Sequence, residues 1–268
     1  MAMKRMGASA VIGSGMAWYM GWLESGVQAL ERTQANRLAP SANKVYPDPF
    51  HVDAPPRDDA LRIRHSVAHH AEGWAARLRQ MPPGSLRLLQ LEDDGGVPDE
   101  MVLAALDACE GLESVCIAGD VSHHPRAAAG SDQIITDIAT CLGARLKHLE
   151  VAHDRCVTDD ALRDLAALCP NLELLHVGGL DNVFSNAGVL DLLKGCRKLQ
   201  SLDVTGESFV DPMRLMAQLS SSETSPSLRV LKVSPSPWRE HDFERCKAQV
   251  RLLRPELHVY DIFYEVMR

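Results

Sequence analysis

Histidines are the side chains of this sequence best suited to metal or acid–base chemistry. His65 and His69 are four residues apart, a spacing that places two imidazoles on one face of a helix as metal ligands. A second group, His123, His124 and Arg126, forms a polar cluster in a loop-like segment. Because the first pair lacks the glutamate of a His-Glu-x-x-His motif, it is more typical of a polar helix face. We therefore expect no metal site and no cofactor.

The motifs of common catalytic and nucleotide-binding sites are absent from the sequence. No Gly-x-Gly-x-x-Gly follows a strand pattern, no P-loop occurs, and no Gly-x-Ser-x-Gly elbow is present. Carboxylates such as Glu150 and Asp159 are spread along the chain, at strands or at helix starts where they favour the helix dipole. The sequence predicts no catalytic residues. An enzyme or metal protein built on the two histidine groups is the third of three interpretations.

One repeated sequence motif, Leu-x-x-Leu-x-(Leu/Val/Ile), here called the phrase, predicts the strands and helices that would position these residues. Its last two apolar positions are two apart, the period of a strand with one buried face. Helix-period segments follow, for which the predicted N-caps are Ser131, Thr158, Ser185 and Asp211. Successive first leucines are separated by 26, 34, 26, 27, 29 and 29 residues. The seven copies begin at Leu86, Leu112, Leu146, Leu172, Leu199, Leu228 and Leu257.

Cysteines at a fixed place in the phrase identify the repeat type. Cys109, Cys169 and Cys196 each lie three residues before a repeat leucine, and RCVTDDAL at 155–162 is followed by LCPNL at 168–172. These segments resemble the cysteine-containing, ribonuclease-inhibitor-like leucine-rich repeat that is found in F-box proteins. The resemblance covers about residues 85–262. It implies an α/β solenoid with parallel strands on the concave face and helices on the convex face.

Composition excludes several classes of partner. The net charge is -8, and no lysine- or arginine-rich run is present, which argues against a nucleic-acid surface. Nothing in the sequence indicates a small-molecule substrate. The seven cysteines include no Cys-x-x-Cys pair. We expect those at the repeat positions to be reduced, buried and structural.

The stretch from Met6 to Leu23 contains 18 residues without a charged side chain. As a helix it would extend about 27 Å, just short of the roughly 30 Å hydrocarbon core of a bilayer. We predict that residues 1–38 comprise a retained membrane helix and a helix that follows it, with a cleaved secretory signal, an organellar targeting segment and a buried or disordered soluble segment as alternatives. Small residues spaced by four and a terminal aromatic cluster would pack this helix, namely Gly13, Ala17, Gly21, Trp18 and Trp22.

Three further segments complete the predicted organisation. Residues 39–57 carry five prolines and form a linker, and residues 58–84 form a helix that caps the first repeat. The repeat domain occupies residues 85–268. An insertion at 120–130 lengthens one repeat by about eight residues, and loops of this kind often bind partners. We therefore predict partner contacts at His123, His124 and Arg126.

The residues between the two buried positions of each strand must project from the concave face. Their central column is mildly acidic and is flanked by small side chains, which would let a helix or a basic extended segment approach closely. The predicted partner-binding residues are Gln90, Glu150, His176, Asp203, Lys232 and Asp261.

These features favour a non-catalytic accessory or assembly subunit of a multisubunit complex. The apolar N-terminus would hold it at an organellar membrane, with the mitochondrial inner membrane favoured. The segment MGWL at 20–23 ahead of the repeats is similar to the start of the mitochondrial coupling factor B (ATP synthase subunit s) family. The alternative is a cytoplasmic, F-box-like substrate adaptor, which the repeat type implies, although no Leu-Pro-x-Glu segment precedes the repeats.

Overall fold

A computed structural model describes residues 59–64, 84–93, 97, 99–119, 132–152, 157–178, 183–206, 209–221, 223–234 and 240–261. Within these ranges eight strands form one all-parallel sheet in chain order. The strands are β1 (Ala60–Arg64), β2 (Leu88–Asp93), β3 (Ser114–Gly119), β4 (His148–Ala152), β5 (Leu174–His176), β6 (Ser201–Asp203), β7 (Val230–Val233) and β8 (His258–Asp261). The helices are α1 (Asp99–Ala108), α2 (Gln133–Leu142), α3 (Asp159–Leu168), α4 (Asn186–Gly195), α5 (Pro212–Leu219) and α6 (Glu240–Leu253).

The apolar positions of the repeat pack into one continuous core between the sheet and the helices. Leu89, Val115, Leu149 and Leu175 are neighbours in the sheet register, and all four are fully buried. Helix residues such as Leu192 join the same cluster. Each strand–helix unit thus buries its apolar side only by stacking on its neighbours. This is the α/β leucine-rich-repeat solenoid that the sequence predicts.

Side-chain caps fix the start of several helices and connect successive repeats. Thr158 accepts a hydrogen bond from the Ala161 amide, as predicted for an N-cap, and it donates to the Asp132 carboxylate in the preceding repeat at 2.5 Å. The predicted caps Ser185 and Asp211 likewise accept bonds from the first turns of α4 and α5. For α2 the N-cap is Asp132, one residue after the predicted Ser131.

The first strand corrects the predicted N-terminal helix. Ala60–Arg64 form β1, paired in parallel with β2, whereas residues 58–84 were expected to be one capping helix. Leu61 occupies the buried position that Leu89 occupies in β2. The repeat was missed because Asp58 stands where the phrase requires its first leucine. Residues 65–83 lie outside the described ranges.

The last strand corrects the predicted register. Tyr260 pairs with Lys232 of β7, so it belongs to the concave column. Asp261 pairs with Val233 and therefore lies on the helix side, where its carboxylate approaches the Lys247 ammonium of α6 at 3.8 Å. The turn before β8 is one residue shorter than in the other repeats, which shifts every following side chain to the opposite face.

The repeat cysteines fill equivalent positions at the ends of the helices. Cys109, Cys169 and Cys196 are buried free thiols. The Cys196 sulfur lies 3.3 Å from the Cys169 carbonyl oxygen and 3.6 Å from that of Leu165. Burial raises the pKa of Cys169 and of Cys196 to about 12, so both are protonated at neutral pH. Their role in the fold is the structural one that the sequence predicts.

Candidate functional site

The concave face of the sheet carries three rows of side chains that run across the strands. The central row alternates with the core positions in every strand, so these residues point away from the described helices. In strand order the row consists of Arg62, Gln90, Cys116, Glu150, His176, Asp203, Lys232 and Tyr260. Five of the six predicted contact residues therefore lie in this row, and Asp261 does not.

Four consecutive members of this row, Glu150, His176, Asp203 and Lys232, alternate between acidic and basic residue types. The His176 Nδ1 atom lies 3.8 Å from the Glu150 carboxylate, and the Lys232 ammonium lies 3.4 Å from the Asp203 carboxylate. Both acidic side chains are nearly inaccessible to solvent, at 3% and 11% of their side-chain surface. Electrostatic interactions between buried groups are stronger than those between solvated groups, because the local dielectric constant is low. This part of the face therefore forms one coupled polar unit.

Asp203 is the electrostatic centre of that unit. Burial raises the pKa of its carboxyl, but the charges of Lys232 and His176 and two hydrogen bonds from Thr205 outweigh it, so the pKa falls below its usual value. Thr205 donates its hydroxyl at 2.6 Å and its amide at 3.1 Å to the same carboxylate oxygen. Gly178 makes this arrangement possible, because a Cβ atom there would stand 2.6 Å from the Thr205 hydroxyl oxygen.

An apolar cluster lies beside the charged row on the same face. Leu88, Cys116, Ala118 and Leu174 form a buried cluster separate from the main core, against which Ala60 packs. Leu88 and Leu174 are the first residues of their strands and are fully buried. The charged part of the concave row thus lies next to a buried apolar cluster, to which Cys116 of the same row belongs.

A third row of charged residues was missed by the sequence argument. It lies just before each strand, where Glu113 accepts from Arg87 on one side and from Lys147 on the other, both at 2.6 Å. The hydrogen bond from Lys147 is the largest cause that holds the pKa of Glu113 below its usual value. The signal was present as alternating charge at one position of successive phrases. These bonds join neighbouring repeats at the surface.

Several predicted site residues fall outside the described ranges. They are His123, His124 and Arg126 of the insertion, and Gly13, Ala17, Gly21, Trp18 and Trp22 of the apolar N-terminus. Among the helices that the structure describes, none is long and apolar enough to cross a bilayer. The described residues also contain no cluster of three histidine, cysteine or acidic side chains able to hold a metal ion.

The parallel sheet and the outer helices have the architecture of a leucine-rich-repeat solenoid. In a comparison with curated proteins, the chain is 29% identical over 171 residues to F-box/LRR-repeat protein 5 of Danio rerio. The alignment covers 59% of this chain and 25% of that protein, so the chain matches about a quarter of its relative's length. No protein-family model matches the sequence.

Proposed function

We propose that this protein is a non-catalytic interaction module whose concave face binds a polypeptide partner, in the manner of a substrate adaptor. The observation that carries the proposal is the alternating row from Glu150 to Lys232, which continues to Tyr260 at the last strand. Lys232 and Tyr260 are partly exposed, so they offer a partner a cation held in place by the buried Asp203 and an aromatic ring of the kind enriched at interfaces.

The comparison favours this adaptor function over the membrane-anchored subunit predicted from Met6 to Leu23. The relative's name joins an F-box to leucine-rich repeats, and its similarity supports protein interaction as the general role. Neither comparison supports a mitochondrial location or the coupling factor B resemblance. We therefore propose the adaptor function ahead of the function as a membrane-anchored subunit of a multisubunit complex at the mitochondrial inner membrane.

Substitution of Lys232 by glutamine together with Tyr260 by alanine tests the concave face directly. Both side chains are only partly buried, so their removal should weaken partner binding, and circular dichroism checks that the fold survives the loss of the Lys232–Asp203 ion pair. The full chain, expressed with an affinity tag in its own cell type, is cross-linked and its bound proteins are quantified by mass spectrometry. We expect the amount of partner bound to the double variant to be at least about tenfold lower than the amount bound to the wild type, because interface anchors typically contribute more than about 1 kcal/mol each.

Lys194→Gln provides the matched control, since Lys194 is an exposed lysine on α4 at the convex side. This control should bind the same proteins in the same amounts as the wild type. Equal binding by the double variant would exclude the concave face as the contact surface. If no protein is enriched on the full chain over a sample of the tag alone, the interaction role itself is contradicted. Recovery of a cullin scaffold among the bound proteins would support the adaptor class.

A further inference from the structure

The accessible charges at the last strands are basic, although the chain carries a net charge of -8. The acidic side chains of Glu150, Asp203 and Asp261 are buried, so little of their surface is offered to a partner. Lys232 is partly exposed and His258 is exposed. A partner that approaches the last repeats therefore meets basic side chains, and not the mildly acidic column that alternation along the sequence predicts.

A cleft at the end of the described sheet gathers further basic residues beside the last strand. Lys247 and Arg251 lie four residues apart on α6, a spacing that places both side chains on one face of the helix. His258 and Tyr260 belong to β8, and their rings are stacked with centroids 6.5 Å apart. The residues that line the cleft are Lys247, Arg251, Pro255, Leu257, His258, Val259 and Tyr260. The last helix and the last strand thus bring two cations, an imidazole and an aromatic ring to one surface.

Arg251 is the cation of this cleft that lacks a counter-charge within the part of the chain that the structure describes. The Lys247 ammonium lies 3.5 Å from the Glu244 carboxylate and 3.8 Å from that of Asp261. Among the described residues, neither Arg251 nor His258 forms an ion pair through its side chain. The helix dipole favours a cation in the last turn of α6, but it does not account for a basic side chain on the neighbouring strand. Since like charges four residues apart on a helix repel each other, an anion bound near Lys247 and Arg251 would stabilise both.

We propose that this cleft binds a carboxylate side chain from an acidic segment of a polypeptide partner. The inference rests on the proposed function, because it names the chemical class of that partner. The Arg251 guanidinium can donate to both oxygens of a carboxylate, and Lys247 adds a second cation. His258 offers a ring N–H as a further donor. Leu257 and Val259 supply apolar walls, beside which a charge-assisted hydrogen bond is stronger than in bulk water.

The cleft is continuous with the concave residues to which the partner contact is assigned above. Tyr260 lines the cleft and pairs with Lys232 in the sheet register, so one bound segment can contact both places. A nucleic acid fits this surface less well, because it requires a track of cations along its phosphate backbone and the sequence contains no lysine- or arginine-rich run. Charge complementarity therefore favours an acidic polypeptide.

Fluorescence anisotropy of a labelled peptide tests this proposal on the purified full chain. The probe is fluorescein-labelled Gly-Glu-Glu-Leu-Glu-Glu-Gly, measured at low ionic strength, where screening of charges is weak. We expect Arg251→Gln combined with His258→Gln to raise the Kd of the peptide at least about tenfold, because the variant lacks the guanidinium and a ring donor. Both side chains are exposed, so the fold should persist, and circular dichroism checks it.

His241→Gln combined with Arg245→Gln is the matched control. It removes the same two residue types from exposed positions of α6 that do not line the cleft, and it should leave the Kd within about twofold of the wild-type value. An equal loss in both double variants would assign binding to overall charge and overturn the cleft. A wild-type chain that does not bind the peptide, or that binds a version with glutamine in place of each glutamate equally well, also overturns the proposal.

A single-stranded DNA oligonucleotide of the same net charge separates the two classes of polyanion. Tighter binding of the oligonucleotide than of the peptide would overturn the proposal in favour of a nucleic acid. The cleft and the proposed function fail separately. If Lys232→Gln combined with Tyr260→Ala leaves partner capture unchanged while the peptide binds through Arg251, the concave contact fails and the cleft stands. If partner capture is lost in that variant but the wild type does not bind the peptide, the acidic class fails alone.

Discussion

Replacement of Gly195 by valine is expected to lower the free energy of unfolding of the repeat domain by about 3 kcal/mol. Gly195 ends α4 where this helix meets α3, and a Cβ atom at that position would stand 2.7 Å from the Ala166 Cα and carbonyl carbon atoms. These are backbone atoms, so no rotamer change can relieve the overlap. The two helices would have to separate, which opens the shared core around Leu165 and Leu192.

The magnitude follows from two opposing effects. Replacing glycine in a helix gains about 0.5 kcal/mol from intrinsic propensity, whereas overpacking a well-packed contact costs about 1–3 kcal/mol and sometimes more. The overlap here involves several backbone atoms, so we expect a cost of about 3.5 kcal/mol, slightly above that range, which leaves a net loss of about 3 kcal/mol after the propensity gain. A loss of this size should lower the melting temperature by roughly 6–12 °C for a domain of this length.

Urea denaturation followed by circular dichroism provides the measurement. Ala187→Val is the matched control, because it places the same side chain on the same helix at an exposed position. The Ala187→Val substitution should lower the free energy of unfolding only by the difference in helix propensity between alanine and valine, about 0.6 kcal/mol. A Gly195→Val protein as stable as the Ala187→Val protein would show that α3 and α4 are not in close contact.

Local periodicity made most of the solenoid predictable. Leu146, Leu149 and Val151 follow the period of a one-sided strand, and Thr158 is a cap residue placed before a helical pattern. These features depend on residues close in sequence, so the sequence carries them directly. The spacing of the phrases then fixed the order of strands, since neighbouring repeats must stack.

The two errors in the repeat domain arose where a terminal repeat departs from the phrase. Asp58 replaces the first leucine before β1, and the turn between Leu257 and Val259 is one residue shorter than the phrase requires. Terminal repeats of a solenoid have a neighbour on one side only, so their sequence is less constrained. Asp261 illustrates the consequence, because a shift of one residue moved it from the concave face to the side of Lys247.

The burial of the concave row was the least predictable property of the candidate site. Alternation assigns Gln90 and Glu150 to the face opposite the core, and polar side chains on such a face are ordinarily solvated. Their exposure depends on contacts distant in sequence, which periodicity does not encode. The same limit applies to the lowered pKa of Asp203, which arises from Lys232, His176 and Thr205 meeting in three dimensions.

Substitution of Asp203 by asparagine is expected to remove about 2–3 kcal/mol of stability at pH 7, and the loss should disappear in acid. Asparagine keeps the shape and can still accept from Thr205, but it leaves the Lys232 ammonium, 3.4 Å from the carboxylate, without its charge partner. The cost is discounted from the value for fully buried pairs because the Lys232 side chain retains 17% exposure.

The sign of the pH dependence follows from the pKa of Asp203, which is lower in the folded protein than its usual value. A depressed carboxyl pKa contributes stability that is fully present above the unfolded-state pKa, about 3.9, and is lost as pH falls through the folded-state pKa. On urea titration the difference in stability between wild type and Asp203→Asn should therefore be constant between about pH 5 and 7, begin to shrink near pH 4, and vanish below the folded-state pKa of Asp203.

Asp191→Asn separates this effect from the general loss of an ion pair. Asp191 also contacts a lysine, Lys194, at 3.1 Å, but its side chain is 42% exposed. Exposed pairs typically contribute less than about 1 kcal/mol, so this variant should remain close to the wild type at every pH. A difference between wild type and Asp203→Asn that persists undiminished at pH 3 would contradict the lowered pKa. If Asp203→Asn is as stable as the wild type at pH 7, the charged row does not act as one coupled unit. The neighbouring charges would then be satisfied even with a neutral side chain at the centre of the row.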